Sequence, residues 1–248
     1  MNRFFVDKDA VQGDNITLTD KDDIKHISKV LRLDRGGRLE VSDSEEFEYE
    51  AEISSIEPST ISLKVIKKQK FQREPATKVT LYQSLPKQGK MEVIIQKCVE
   101  LGIHAIVPVF TARTVVSERQ GFEKKLERWN RVSAEAVKQC KRGIIPKISN
   151  SISFAGMVSD IKERQDFDLI LFPYEEEKET SIKDVLRSFS GVKRNIAYII
   201  GPEGGFSEDE AEAVIEAGGV AVSLGKTILR TETAGPSALA MIMYELEI

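Results

Sequence analysis

The chain has 248 residues, 41% of them hydrophobic and 31% charged, the balance of a soluble globular protein with one large or two unequal domains. Lys and Arg number 36 against 40 Asp and Glu, a net charge of −4 that argues against indiscriminate binding to nucleic acid. No apolar run approaches the roughly 18–20 residues of a membrane span, and two Cys with two His make neither a disulfide framework nor a zinc site.

The first 72 residues read as short strands with one helix. Arg3–Val6, Asn15–Thr19, Arg38–Ser42, Tyr49–Ser54 and Thr60–Ile66 are rich in β-branched and aromatic residues and partly alternate. Thr19 and Asp20 open a helix with Ile24, Ile27, Val30 and Leu31 on one stripe. Lys25, Lys29 and Arg32 fall on another face of it. This is a small, barrel-like β domain. The charged stretch Lys67–Lys78 has little to bury and holds the boundary, so residues 1–72 and 73–248 are expected as two domains.

From Val79 strands and helices alternate. Val79–Leu85, Ile103–Val109, Asp168–Pro173, Ile196–Ile200 and Val220–Leu224 read as strands. Helices follow from the stripe Met91, Ile94, Ile95, Cys98, from the long run Phe122 to Cys140, and from Ile182 to Phe189. Ser207, with Glu210 three residues on, marks a capping box for a helix to Ala217, and Thr233 is the expected N-cap of the last helix. Repeated β-then-α with apolar strands implies a parallel sheet covered on both faces. Cys98 and Cys140 fall at apolar helical positions and are expected buried.

Two glycine-containing turns stand out. The first is Ile200-Gly201-Pro202-Glu203-Gly204-Gly205, the second Leu224-Gly225-Lys226-Thr227-Ile228-Leu229-Arg230. Each follows an apolar strand and leads into a helix. Glycine lets backbone approach a ligand closely, and open α/β sheets bind ligands beyond the carboxyl ends of their strands. Ile228 and Leu229, apolar in an exposed loop, suit the wall of a pocket for an uncharged ring such as adenine. A plain strand-to-helix connection also uses such glycines, and Arg230 with Glu232 also reads as a surface ion pair. There is no P-loop, no G-x-G-x-x-G after the first α/β strand and no G-x-S-x-G elbow. Cations cluster at Lys25, Lys29, Arg32, Arg35 and Arg38, and again from Arg113 through Arg119, Lys124, Lys125, Arg128, Arg131, Lys138, Lys141, Arg142 to Lys147. Such clustering suits a polyanion; a solvated helix face explains it equally well on charge alone.

At these residues the chain resembles the small-subunit ribosomal RNA methyltransferase E family of the SPOUT superfamily. The two glycine turns are the most specific part of the likeness. Met1-Asn2-Arg3-Phe4-Phe5-Val6, His26–Leu33, Lys90-Met91-Glu92, Gln96-Lys97, Glu100-Leu101-Gly102, Ala134-Glu135-Ala136 and Gln139 extend it along the chain. Asp43-Ser44-Glu45-Glu46 stands where the family often has a glycine turn, and Gly235-Pro236 opens the last helix.

The resemblance implies an N-terminal PUA-like RNA-binding barrel and a C-terminal parallel α/β domain with a trefoil knot, working as a homodimer. The Met-Asn-Arg-Phe-Phe start, with no basic-then-apolar leader, and the lack of a membrane-length apolar run make the cytoplasm the expected location. It implies methyl transfer from S-adenosylmethionine to N3 of a uridine in 16S rRNA of the small ribosomal subunit, with no metal. Phe172, Ile200, Gly201, Pro202, Glu203, Gly204, Leu224, Gly225, Ile228, Leu229, Thr233 and Ala234 would hold the cofactor. Arg230 and Glu232 would be catalytic, Glu232 as base and Arg230 as stabiliser of charge on a uracil oxygen. Arg3, Lys25, Lys29, Arg32, Arg113 and Arg142 would contact RNA. The alternatives are a tRNA ribose methyltransferase of the same superfamily and a non-catalytic RNA-binding assembly factor; the first would modify a different nucleotide, the second would bind no S-adenosylmethionine.

Overall fold

A computed structural model describes residues 2–87, 89–115, 122–164, 166–189 and 195–247. The chain divides into two compact units, 1–74 with 137–145, and 75–136 with 146–248. The division falls two residues beyond the expected boundary, and it adds to the first unit a segment from the middle of the second.

The first unit is a six-stranded sheet. Its strands are β1 (Arg3–Phe5), β2 (Val11–Gln12), β3 (Asn15–Leu18), β4 (Arg38–Ser42), β5 (Phe47–Glu57) and β6 (Thr60–Lys70), in the order β1-β4-β5-β6-β3-β2. Only β1 and β4 pair in parallel. Alternation decides the facing: in β3, Ile16 and Leu18 are buried while Asn15 and Thr17 are exposed. They join Phe4, Leu39, Val41, Ala51, Ile53, Ile61 and Leu63 in one core. Register shifts near Ala51 and Ser55 mark bulges in the long β5–β6 pair, the device that bends a strand toward closure. β6 runs on to Lys70, so the first residues of the expected linker are strand; charge on the outward positions hid it.

The helix of this unit departs from its expected form. α1 (Lys21–Lys25) is capped by the Asp20 carboxylate, which accepts from the N–H groups of Asp22 and Asp23. It then widens into a π-helical turn, His26–Val30, closed by the Leu31 N–H on the His26 carbonyl. The widened turn breaks the 3.6-residue phase, and Val30 is 65% exposed rather than on the buried stripe with Ile24 and Ile27. Arg32 follows with φ +52°, the left-handed conformation that ends the turn.

The segment 137–145 docks through polar groups. Arg3 is buried, bridges Glu48 at 2.6 Å and Glu40 at 3.3 Å, and donates to the carbonyls of Lys141 and Arg142. Arg142 is buried against Glu74 at 2.8 Å, and Glu74 also accepts the N–H groups of Gly143 and Ile144. A Cβ on Gly143 would stand 2.3 Å from the Phe71 ring, so only glycine fits.

The second unit is an all-parallel sheet. β7 (Lys78–Ser84), β8 (Ala105–Phe110), β9 (Lys147–Ile148), β10 (Ile152–Ser153), β11 (Leu169–Pro173), β12 (Asn195–Ile200) and β13 (Val220–Val222) run in the order β10-β8-β7-β12-β11-β13, with β9 also beside β8. The helices are α2 (Lys90–Glu100), α3 (Phe122–Cys140), α4 (Phe154–Glu163), α5 (Ile182–Ser188), α6 (Glu208–Glu216) and α7 (Thr231–Leu246). On one face Tyr82, Ala197, Ile199 and Phe172 pack with Met157 and Ile161 of α4 and Ala211 and Val214 of α6. On the other, α7 lies with α2 and α5, and Tyr198 donates to the Gly235 carbonyl. This two-face burial is why the strands read as continuous apolar runs.

Three further expectations change. The last helix begins at Thr231, with Arg230 as its N-cap, so Thr233 lies inside the first turn rather than at the cap. α4 was not expected; its stripe Met157 and Ile161 is short and follows a Ser-rich stretch. Cys98 is fully buried, and burial pushes its thiol up to about 12, whereas Cys140 is only half-buried. Arg119 of the expected cation cluster lies outside the described residues.

Candidate functional site

β11, β12 and β13 lie side by side in the sheet, and the loops leaving their carboxyl ends enclose a pocket of about 660 Å³. Ile200, Gly201 and Pro202 form one side, Leu224, Gly225, Ile228 and Leu229 another, and Thr231 and Ala234 the start of α7. Pro173, Tyr174 and the run Glu175–Lys178 complete it. Eight of the expected cofactor residues therefore come together there: Ile200, Gly201, Pro202, Leu224, Gly225, Ile228, Leu229 and Ala234.

Four do not line it. Phe172 is fully buried beneath, stacked 5.2 Å from Tyr174 and edge-on to Phe206 at 5.1 Å, so it supports the floor. Glu203 turns away to Lys90, the Gly204 carbonyl accepts from Arg113 at 2.8 Å, and Thr233 is exposed on α7. Sequence reasoning missed Tyr174 and the acidic loop, although the carboxyl-edge rule applied to β11 points to them. It also missed Thr231. This buried hydroxyl donates to the Gly201 carbonyl at 2.7 Å and accepts from Gln83 Nε2 at 2.9 Å, tying one glycine turn to the other.

The glycines have steric reasons. A Cβ on Gly201 would stand 2.9 Å from the Phe206 ring, and Gly225 has φ +134°, closed to other residues without strain. Such bare backbone beside apolar Ile228, itself 85% exposed, makes a cradle that a flat, uncharged ring fits. The first turn is fixed from outside as well. Ser207 and Glu210 form the capping box of α6, and Glu210 also accepts the Ala112 N–H at 2.7 Å.

At the rim the charged groups gather. Lys90 Nζ lies 3.0 Å from Glu203 Oε1 and 3.1 Å from Glu232 Oε2, the second an ion-pair contact without hydrogen-bond alignment. The backbone N–H of Glu232 itself, then Lys90 and Arg230, hold its carboxyl below the usual range against the pull of burial. Burial pushes Glu203 up, but hydrogen bonds from Lys90 and the Lys87 N–H outweigh it, and its net position is also lowered. Lys90 is raised, by Glu203 first and Glu232 second. Arg230 is exposed, and its carbonyl accepts the N–H groups of Thr233 and Ala234.

The expected RNA contacts divide. Lys25, Lys29, Arg32 and Arg113 are exposed. Arg3 and Arg142 are not available to phosphate, because each is buried in the ion pairs that hold residues 137–145. Among the described residues no cluster of His, Cys, Asp or Glu could hold a metal, and no helix is long and apolar enough to cross a membrane.

A family model of the RNA methyltransferase domain matches residues 72–243, and one of the RNA methyltransferase PUA domain matches residues 18–66. The Bacillus subtilis ribosomal RNA small subunit methyltransferase E is 34% identical, over 100% of this chain and 98% of its own. The chain belongs to the ribosomal RNA small subunit methyltransferase E family. The Synechocystis methyltransferase E is 31% identical, over 99% of this chain and 78% of its own. The methyltransferase E of Neisseria gonorrhoeae, solved bound to S-adenosyl methionine, is 26% identical with a TM-score of 0.82 over 98% of this chain and 97% of its own. A Legionella pneumophila protein solved with the cofactor bound is 28% identical, TM-score 0.80, over 98% and 96%. As a methyltransferase E family member the chain thus has a PUA-type unit in front of an α/β methyltransferase unit.

Proposed function

We propose that the protein methylates N3 of a uridine in 16S rRNA of the small ribosomal subunit, in the cytoplasm, with S-adenosylmethionine as donor. The observation that carries the reading is the pocket of bare glycine backbone and apolar side chains at the carboxyl edge of β11, β12 and β13. Ile200, Gly201, Leu224, Gly225, Ile228 and Leu229 would hold the cofactor, which supplies an electrophilic methyl on a sulfonium. A trefoil knot in the second unit and a homodimer belong to the same reading; sedimentation at twice 27.8 kDa would support the dimer, and a monomer would remove it.

The chain's own residues then have three tasks. N3 lies on the Watson–Crick edge, so the uridine must be unpaired to reach the rim. The N3 proton must leave, and Glu232, held ionised, accepts it. A carboxylate with a lowered pKa is a weak base for an imide. Arg230 compensates by stabilising the negative charge that grows on a uracil oxygen as the proton goes. The freed nitrogen pair forms the N–C bond while the C–S pair returns to sulfur, leaving S-adenosylhomocysteine. Exposed Lys25, Lys29 and Arg32 on the first unit and Arg113 on the second meet phosphates.

The test is incubation of small subunits lacking the modification with labelled S-adenosylmethionine, followed by nucleoside analysis. Label in 3-methyluridine is expected; label in a ribose-methylated nucleoside, or no label and no cofactor binding, overturns the reading. Arg230→Ala and Glu232→Gln should each slow single turnover by about 10²-fold. Near-normal rates in both would remove their catalytic roles.

A further inference from the structure

Among the described residues Lys90 is the one cation with ion pairs to both glycine-turn segments, and nothing in the stability of its own helix explains it. It is the first residue of α2, after Gly89 at φ +65°. A cation at a helix N-terminus opposes the helix dipole. Its Nζ nevertheless reaches Glu203 in the turn after β12 and Glu232 in the first turn of α7. Glu203 Oε1 also takes the Lys87 N–H at 3.0 Å, so the loop after β7 joins the same point. The three side chains are 22 to 29% exposed, and ion pairs that wet contribute little to folding. Their consequence lies in orientation and in proton affinity.

We infer that Lys90 is a positioning residue of the methyl-transfer site: its ammonium, paired with Glu203 and with Glu232, ties the two glycine turns to one point and holds the Glu232 carboxylate at the rim. This rests on the methyl-transfer reading. The charged groups acting on Glu232 are Lys90 from α2 and Arg230 from the loop before α7. Glu203 acts through the shared ammonium. Without Lys90 two carboxylates share one site with no cation between them, and like charges raise proton affinity. Glu232 would then carry its proton at higher pH and would lose its fixed direction.

The test is a carboxyl ¹³C NMR titration of the full chain without cofactor, with Glu232→Gln used to assign the resonance. In Lys90→Met the Glu232 midpoint should rise by about one pH unit, and Lys90→Arg should restore most of it. The acid limb of the single-turnover rate should move with it. Glu203→Gln, which frees the ammonium for Glu232, should lower the midpoint and serves if Lys90→Met does not fold. An unmoved Glu232 midpoint in the folded variants overturns the inference. A wild-type protein that methylates no small subunit overturns the methyl-transfer reading instead, whatever the titration gives.

Discussion

Thr231 joins the two glycine turns through one hydroxyl, and no residue of the pocket is more economical. Its Oγ1 satisfies the Gly201 carbonyl and one N–H of Gln83, both far from it in sequence. Gln83 Oε1 has no hydrogen-bond partner among the described residues, so the junction has little polar redundancy. Thr231→Val keeps the shape and removes both bonds. We expect a loss of about 1–3 kcal/mol in urea unfolding, with weaker S-adenosylmethionine binding by calorimetry, while Thr231→Ser stays near wild type. Equal stability and affinity in the Val variant would show that the turns hold their places without it. Sequence could not have ranked Thr231 above Thr233. Both stand where the last helix starts, and only its beginning at Thr231, two residues before the expected cap, turns Thr231 inward and leaves Thr233 exposed.

At the scale of elements, the turn between β4 and β5 is the clearest case of a local charge shaping backbone. Asp43 is buried, and its Oδ1 accepts the N–H groups of Glu45, Glu46 and Phe47 while Oδ2 takes the Tyr49 hydroxyl. Burial pushes the carboxyl up, but those four donors outweigh it and leave it below its ordinary value. Burial, and then Asp43 itself, raise Tyr49 to about 12. Because the folded pKa is depressed, this stabilisation is complete above the unfolded value near ~3.9 and is lost as pH falls through the lower folded value. Asp43→Asn should cost about 2 kcal/mol at pH 7 and flatten the decline in stability from about pH 4 downward, measured by urea melts across that range. An identical decline in both proteins would locate the acid sensitivity elsewhere. Ser44, at φ +60°, takes the conformation a glycine would take more cheaply, and Asp43 holds the turn in place of one.

The same scale explains what was legible. β7, β8, β11, β12 and β13 are apolar runs bounded by glycine or charge, and their expected bounds fall within two residues of the observed ones, whereas the two-residue β9 and β10 are too short to leave a pattern and were not expected. The Ser207 capping box was visible because its chemistry is local. The π turn at His26–Val30 was not, because a widened turn keeps helical composition while shifting every later side chain. Arg3 and Arg142 were taken as surface cations because a sequence gives charge without its partner; Glu48 and Glu74 lie 45 and 68 residues away.

For the whole molecule, net charge of −4 and an RNA substrate are compatible only if cations are placed rather than abundant. Lys25, Lys29 and Arg32 stand exposed just before, on and just after the π turn, and no ion pair holds any of them among the described residues. Replacing both Lys29 and Arg32 by Ala should reduce the slope of log affinity for small-subunit RNA against log salt by about 1.5, and weaken binding most at low salt. Unchanged affinity at both ends of the salt range would remove this surface from the RNA contact.

The ion pairs around Arg3 and Glu74 also set an order of events during synthesis. Residues 1–74 contain the six strands, yet the Arg3 guanidinium reaches full hydrogen bonding only on the carbonyls of Lys141 and Arg142. Glu74 likewise waits for Gly143 and Ile144. A nascent chain that ends just after residue 74 therefore holds the Arg3 guanidinium on Glu40 and Glu48 but without its two carbonyl acceptors, and the Glu74 carboxylate without its N–H donors. The front unit is finished from the middle of the polypeptide, so cutting after residue 74 releases an incomplete sheet unit rather than a self-sufficient RNA-binding module.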